Sequence, residues 1–140
     1  MKLPVRKFKT ATPVNAPALA AAFARKKLFP KSQAFREMCW ALLLDGRSRL
    51  LCAFLVSAGG YDTSVIDYRM VCRTAIERGA YGVILVHNHP DGIPDPSRRD
   101  IEATKRLKEM FSVLGITFCD HIILGDGCFF SFEENMTVSE

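Results

Sequence analysis

The 140-residue sequence predicts a single α/β domain in which a mixed β-sheet is flanked by helices. Three observations carry this. Two apolar runs, 38–44 and 50–56, are separated only by Asp45-Gly46-Arg47-Ser48. A nearly all-apolar, β-branched run at 81–86 leads through a proline-broken loop into a helical pattern that begins at Ser97. Two further short apolar runs, 116–124 and 128–132, surround Gly125-Asp126-Gly127. A chain of this length buries about two thirds of its unfolded surface, enough for one core. A hydrophobic content of 49% with 24% charged residues is that of a soluble globular protein, and no apolar run approaches the roughly 20 residues of a bilayer span.

Taken in order, the N-terminus carries Lys2, Arg6, Lys7 and Lys9 ahead of an alanine-rich stretch at 16–24. It superficially resembles a secretory leader, but Arg25-Lys26-Lys27 follow at once and no small-residue cleavage site stands out. The stretch is instead expected to be a surface helix capped near Asn15. The runs 38–44 and 50–56 predict a β-hairpin with a turn beginning Asp-Gly. Tyr68, Val71, Cys72, Ala75 and Ile76 form one helical stripe, with Gly79 as its stop. The run 81–86 predicts a buried strand, and alternation then sends His87 and His89 to the same side at its end.

Pro90, Asp91, Gly92, Pro94, Asp95 and Pro96 force a turn-rich loop. Ser97 is a natural N-cap for the helix whose apolar stripe is Leu107, Met110, Phe111 and Leu114 and whose stop is Gly115. Lys105, Arg106 and Lys108 fall on its other side. In the last two strands His121 and Asp120 are assigned structural roles within the fold, and Asp126 a turn. The five cysteines are odd in number and lack Cys-x-x-Cys spacing, as for buried thiols in a reducing cytoplasm. A thiol nucleophile paired with a histidine finds no local activation.

The chemistry concentrates between residues 87 and 100. By themselves Ser97 and Asp100 are a capping box, and an isolated His-x-His is two polar residues at a strand end. Together they form a strand, His-x-His, seven intervening residues, Ser, two more, Asp, then a helix. Two imidazoles and one carboxylate suit Zn²⁺, and three protein ligands leave a fourth position for water, as in catalytic rather than structural sites.

With these residues the chain resembles the JAMM or MPN+ metalloenzymes, whose pattern is a distant Glu followed by His-x-His-x₇-Ser-x₂-Asp. It is similar in particular to the RadC-like proteins, through Val86-His87-Asn88-His89-Pro90, residues 94–98, the segment 120–127 and Ser131-Phe132. The resemblance spans roughly residues 15–133. It implies a JAB/MPN-like (cytidine-deaminase-like) fold over 15–134, an N-terminal extension over 1–14 and a C-terminal tail over 135–140. It also implies that His87, His89 and Asp100 hold Zn²⁺. The distant glutamate matches Glu37, at the start of the run ending in Asp45. Glu37 would take a proton from the zinc water and return it to the leaving amine, and Ser97 would donate to the tetrahedral oxyanion. Hydrolysis of peptide or isopeptide (amide) bonds is the reaction implied, with a peptide or ubiquitin-like protein as substrate.

Asp91 stands where RadC-like proteins commonly have Ser, and Ile93 where they have Asp. The loop's internal hydrogen bonds and its substrate-facing surface are therefore expected to differ. Tyr68 precedes Arg69 where the subgroup has Pro, a structural variation. Fuller-length members carry a helix-hairpin-helix region, for which 140 residues leave no room, so a DNA-binding role conferred by that region is not expected.

A net charge of +4, with Arg47, Arg49, Arg98, Arg99, Lys105, Arg106 and Lys108 available for a basic face, supports a different class of function. That alternative is a non-catalytic DNA-associated or protein-docking module of the RadC type with a structural zinc. Its nucleic-acid signal is modest, since dense clustering and stacking aromatics are lacking and attraction of this size is screened over about 8 Å at physiological salt. The hydrolase needs bound metal, an open coordination site and Glu37 nearby, whereas the module predicts a displaced Glu37 or an occluded water position and salt-sensitive DNA affinity.

Overall fold

Every residue of the run Met38–Leu44 is buried, and its alternation sorts the core into two. Met38, Trp40, Leu42 and Leu44 join Ala20, Ala21 and Ala24 on one side. Cys39, Ala41 and Leu43 join Val71, Ala75, Leu107 and Phe111 on the other. The run is thus a central strand of a sheet covered on both faces, which explains why it reads as continuously apolar.

The computed structural model describes residues 5–8, 12–59 and 66–140. Among them are seven strands: β1 (Val5–Lys7), β2 (Met38–Leu44), β3 (Leu50–Ala58), β4 (Gly82–Asn88), β5 (Thr117–Leu124), β6 (Cys128–Ser131) and β7 (Met136–Ser139). They form one sheet in the order β1-β3-β2-β4-β5-β6-β7. Only β4 and β5 are parallel neighbours. A parallel pair needs a crossover, here the helix α3 (Arg98–Leu114). Helix α1 (Pro17–Lys27) covers the first face, and α2 (Tyr68–Glu77) lies with α3 on the second. The mixed sheet flanked by helices is the fold class that the sequence predicts. Among the described residues no helix is long and apolar enough to cross a membrane.

Two expectations change. The alanine-rich segment is a surface helix on one face only: Ala18, Leu19 and Ala22 are exposed, but Ala20, Ala21 and Ala24 are fully buried and their small side chains let the helix lie close on the sheet. Its N-cap is Ala16 rather than Asn15, with Pro17 opening the first turn. The hairpin turn begins at Asp45-Gly46 as expected, with its positive φ at Ser48 (58°), and the Asp45 carboxylate accepts from the Arg47 and Arg49 N–H groups across it.

The terminal segments also do more than extend. Within 1–14, β1 pairs with β3, and Val14 is buried. Within 135–140, β7 pairs with β6, and Glu140 pairs with Arg25. Each of these strands satisfies backbone groups that would otherwise form an open sheet edge. Lys2 and Lys9 of the basic N-terminus lie outside the described residues.

Candidate metal centre

Parity along β4 builds the site. Val83 and Leu85 face α2 and α3, so His87 faces them too. The strand ends at Asn88, and the loop after it returns to start α3 at the cap Ser97. Asp100, one turn into that helix, is thereby carried over the end of β4. His87 Nε2 lies 3.3 Å from Asp100 Oδ1 and 3.0 Å from His89 Nε2, and His89 Nε2 lies 3.1 Å from Asp100 Oδ2.

Glu37 arrives from 50 residues away in sequence. The antiparallel register pairs Cys39 with His87, which brings the residue two positions before Cys39 beside the imidazoles. Glu37 Oε1 stands 3.9 Å from His87 Nε2. Ligand atoms of Glu37, His87, His89 and Asp100 all lie within 4.8 Å of one another. Four of the five sequence-predicted site residues are therefore in one cluster that could hold a metal ion, and Ser97 lies beside it as the cap of α3.

The donor set fits zinc. A tetrahedron with metal–ligand bonds of about 2.0–2.1 Å has edges of about 3.3 Å. The three distances among His87, His89 and Asp100 are of that size. His89 donates from Nδ1 to the Ile93 carbonyl at 2.7 Å, which turns its Nε2 toward the other two ligands. Asp91 Oδ1 in turn accepts from the Ile93 N–H at 2.9 Å, so this loop's own Asp91 shapes the carbonyl that orients His89. The loop is held against the β5–β6 turn, where Asp126 N–H donates to Gly92 O and a Cβ on Gly125 would come within 2.6 Å of that oxygen. Glycine is required at 125 by that close approach.

Ser97 is the helix cap that its spacing to Asp100 predicts. Its hydroxyl accepts from Asp100 N–H and its N–H donates to Asp100 Oδ2, a complete capping box. Having accepted with its oxygen, the exposed Ser97 retains its O–H as a donor. The capping box also positions the ligand: it fixes the Asp100 carboxylate.

Two polar residues matter more than the sequence reading allowed. Asn88 accepts from Met38 N–H through Oδ1 and donates to Arg36 O through Nδ2, both at 2.8 Å, and so clamps the backbone on either side of Glu37. The signal for it was parity, since Asn88 faces away from the histidines and needs a different employment. His121 is buried in the fold as expected, but its ring contacts His87 Nδ1 at 2.7 Å. An Asp-His pair inside an otherwise apolar strand was the available signal. Asp120 is structural, accepting from His121 N–H, Ser131 Oγ and Glu133 N–H.

A cavity of about 600 Å³ opens from Glu37 and His87 along the Tyr68 end of α2 and the Arg99, Ala103 and Arg106 side of α3. The Arg106 guanidinium lies 5.2 Å over the Tyr68 ring. Cys39 also lines the cavity, but burial, followed by the Glu37 and Asp100 charges, pushes its thiol far up from the usual range. That disposes of it as a nucleophile.

Charge couples the ligands. Burial raises the Asp100 carboxyl, but its side-chain interactions with His87 and His89 outweigh this and hold it far below its ordinary 3.8. For His89, burial pulls the imidazolium down, yet its bonds to Asp100 and Ile93 outweigh that and hold it above 6.5. A group raised in the folded state contributes stability below its unfolded value, and this is lost as pH rises through the folded value. The metal-free fold therefore loses the His89 contribution on going from mildly acid to mildly alkaline pH. Zinc would replace that proton, so its affinity runs the opposite way. Titration calorimetry at about pH 6 and about pH 8 is expected to show tighter zinc binding at the higher pH, with protons released on binding. Equal affinities across that window would contradict the coupling.

Residues 14–137 match the model of the RadC-like JAB domain. Over 97 residues the chain is 48% identical to a UPF0758 protein of Geobacter sulfurreducens, covering 69% of this chain and 42% of that one. It is 46% identical over 100 residues to a UPF0758 protein of Trichlorobacter lovleyi, covering 71% and 44%. With one of Clostridioides difficile the identity is 41% over 103 residues, covering 74% and 44%. The chain thus spans less than half the length of these curated relatives.

Proposed function

Since the chain belongs to the RadC-like JAB domain family, we propose that it is a zinc-dependent hydrolase of peptide or isopeptide (amide) bonds. The observation that carries this reading is the position of Glu37: a general base candidate stands 3.9 Å from His87 Nε2, at the mouth of a cavity and beside a three-ligand set. In this reading His87, His89 and Asp100 hold the ion. Zinc held there supplies Lewis acidity, polarising an amide carbonyl and acidifying a bound water. Glu37 accepts a proton at its carboxylate and hands it to the departing amine nitrogen. Ser97 donates its O–H to the oxygen on which charge develops. The cavity along α3 receives the peptide or the tail of a ubiquitin-like protein. Free cysteines, three of them buried, accord with a reducing cytoplasm as its compartment.

A DNA-associated or docking module would need no base in the cluster. Part of the basic set is also already engaged, Arg49 with Asp45, Arg98 with Glu102 and Arg106 over Tyr68.

The deciding experiment is metal content by plasma mass spectrometry, run beside hydrolysis of fluorogenic peptide and ubiquitin-like isopeptide substrates. We expect about one zinc per chain, lost in the His87→Ala, His89→Ala double variant, with hydrolysis that a chelator abolishes and zinc restores. Wild-type protein that takes up no metal even on reconstitution with zinc would overturn the reading.

A further inference from the structure

Behind the histidines lies a buried polar chain that the proposed chemistry does not itself use. His87 Nδ1 is 2.7 Å from His121 Nε2, and His121 Nδ1 is 2.6 Å from Thr104 Oγ1. The Thr104 hydroxyl donates to the Asp100 carbonyl at 2.8 Å. All three side chains are buried, His121 to 1% exposure.

The far end sets the direction of every proton. A carbonyl has no hydrogen to give, so the single proton of Thr104 goes to the Asp100 oxygen. Thr104 Oγ1 must then accept, which requires His121 to carry its proton on Nδ1. In the neutral ring Nε2 is a lone pair, and its partner at 2.7 Å must be a donor, the Nδ1–H of His87. His87 is left with a bare Nε2, facing Asp100 and His89. The other His87 tautomer would set two lone pairs against each other in a buried contact and put a proton where the ligands converge.

We propose that Thr104 and His121 are positioning residues that order the His87 proton, anchored on the α3 backbone, and so make His87 Nε2 a metal donor. The inference rests on the metal-site reading above, but the ordering exists in the metal-free protein and is measurable there. It ties the backbone of one ligand, Asp100, to the ring of another, His87, through a residue of β5. Neither Thr104 nor His121 belongs to the cluster of Glu37, His87, His89 and Asp100.

The test is long-range ¹H–¹⁵N NMR of zinc-free protein labelled at histidine, with a zinc competition titration alongside. Wild type is expected to hold His87 as the Nδ1–H tautomer, and Thr104→Ser, which keeps the hydroxyl, to hold it too. Thr104→Val, nearly isosteric and so expected to fold, should give mixed His87 tautomers and about 10–100-fold weaker zinc binding. His121→Leu should do the same if it folds, which thermal unfolding checks. His87 found as Nε2–H in wild type, or Thr104→Val with unchanged tautomer and unchanged affinity, would overturn the proposal. If wild type binds no zinc but its Nδ1–H tautomer is lost in Thr104→Val, the ordering stands and the metal reading falls.

Discussion

Glu37→Gln is expected to lower amide hydrolysis by about 10²–10⁴-fold while zinc content stays at about one per chain. The replacement keeps the size and the hydrogen-bonding reach of the side chain and removes only its ability to take a proton. Glu37 stands 3.9 Å from His87 Nε2, farther than the spacing among the other three ligands, so losing its charge should leave the ion in place. Zinc content and turnover measured on the same preparation separate the two effects. A variant with wild-type turnover would remove Glu37 from the mechanism, and one lacking zinc would reassign it as a ligand.

The clamp supplies a second handle on the same carboxylate. Asn88→Ala removes the bonds to Met38 N–H and Arg36 O that fix the backbone around Glu37. Displacing a reacting group by about 1 Å costs up to about 10²-fold in rate, and a loss of that order in kcat is expected with zinc affinity little changed. An equal loss in affinity would place Asn88 with the ligands instead.

Zinc affinity and fold stability should come apart at Asp100. This side chain does two things: it completes the capping box of α3 and it faces both imidazoles. Asp100→Ala removes both side-chain functions; the Ser97 hydroxyl still caps the residue-100 N–H, so loss of the reciprocal bond from Ser97 N–H alone costs about 1 kcal/mol in the metal-free protein. Asp100→Asn keeps an oxygen for Ser97 N–H but loses the anionic ligand, so its metal-free stability should fall less than that of Asp100→Ala.

In wild type, free zinc at about a thousandfold over its Kd adds about 4 kcal/mol, and neither variant should show this gain. Urea unfolding of the three proteins with chelator and with zinc measures these stabilities. A zinc-dependent gain in Asp100→Ala equal to that of wild type would exclude Asp100 as a ligand.

The sequence by itself determined the parts of this protein that depend on neighbours in the chain. Apolar runs, a helical stripe and turn residues placed β2, β3, β4 and α2, and a Ser-x-x-Asp cap with a terminal glycine bounded α3 between Ser97 and Gly115, whose φ of 72° only glycine takes readily. The spacing from His87 to Asp100 likewise brings His87, His89 and Asp100 together through a strand, one loop and one helical turn, with the turn after β5 holding that loop.

The tertiary structure alone decided what depends on strand pairing. Register between β2 and β4 brought Glu37 to His87, and the parallel pairing of β4 with β5 set His121 behind the same ring. Asn88 became a clamp because β2 lies next to β4, and α1 was buried because the first sheet face needed a cover that small alanines can make. The physical reason is one of range. Period and capping are short-range interactions written in adjacent residues, whereas register is chosen by the packing of both sheet faces at once, and no single segment carries that information.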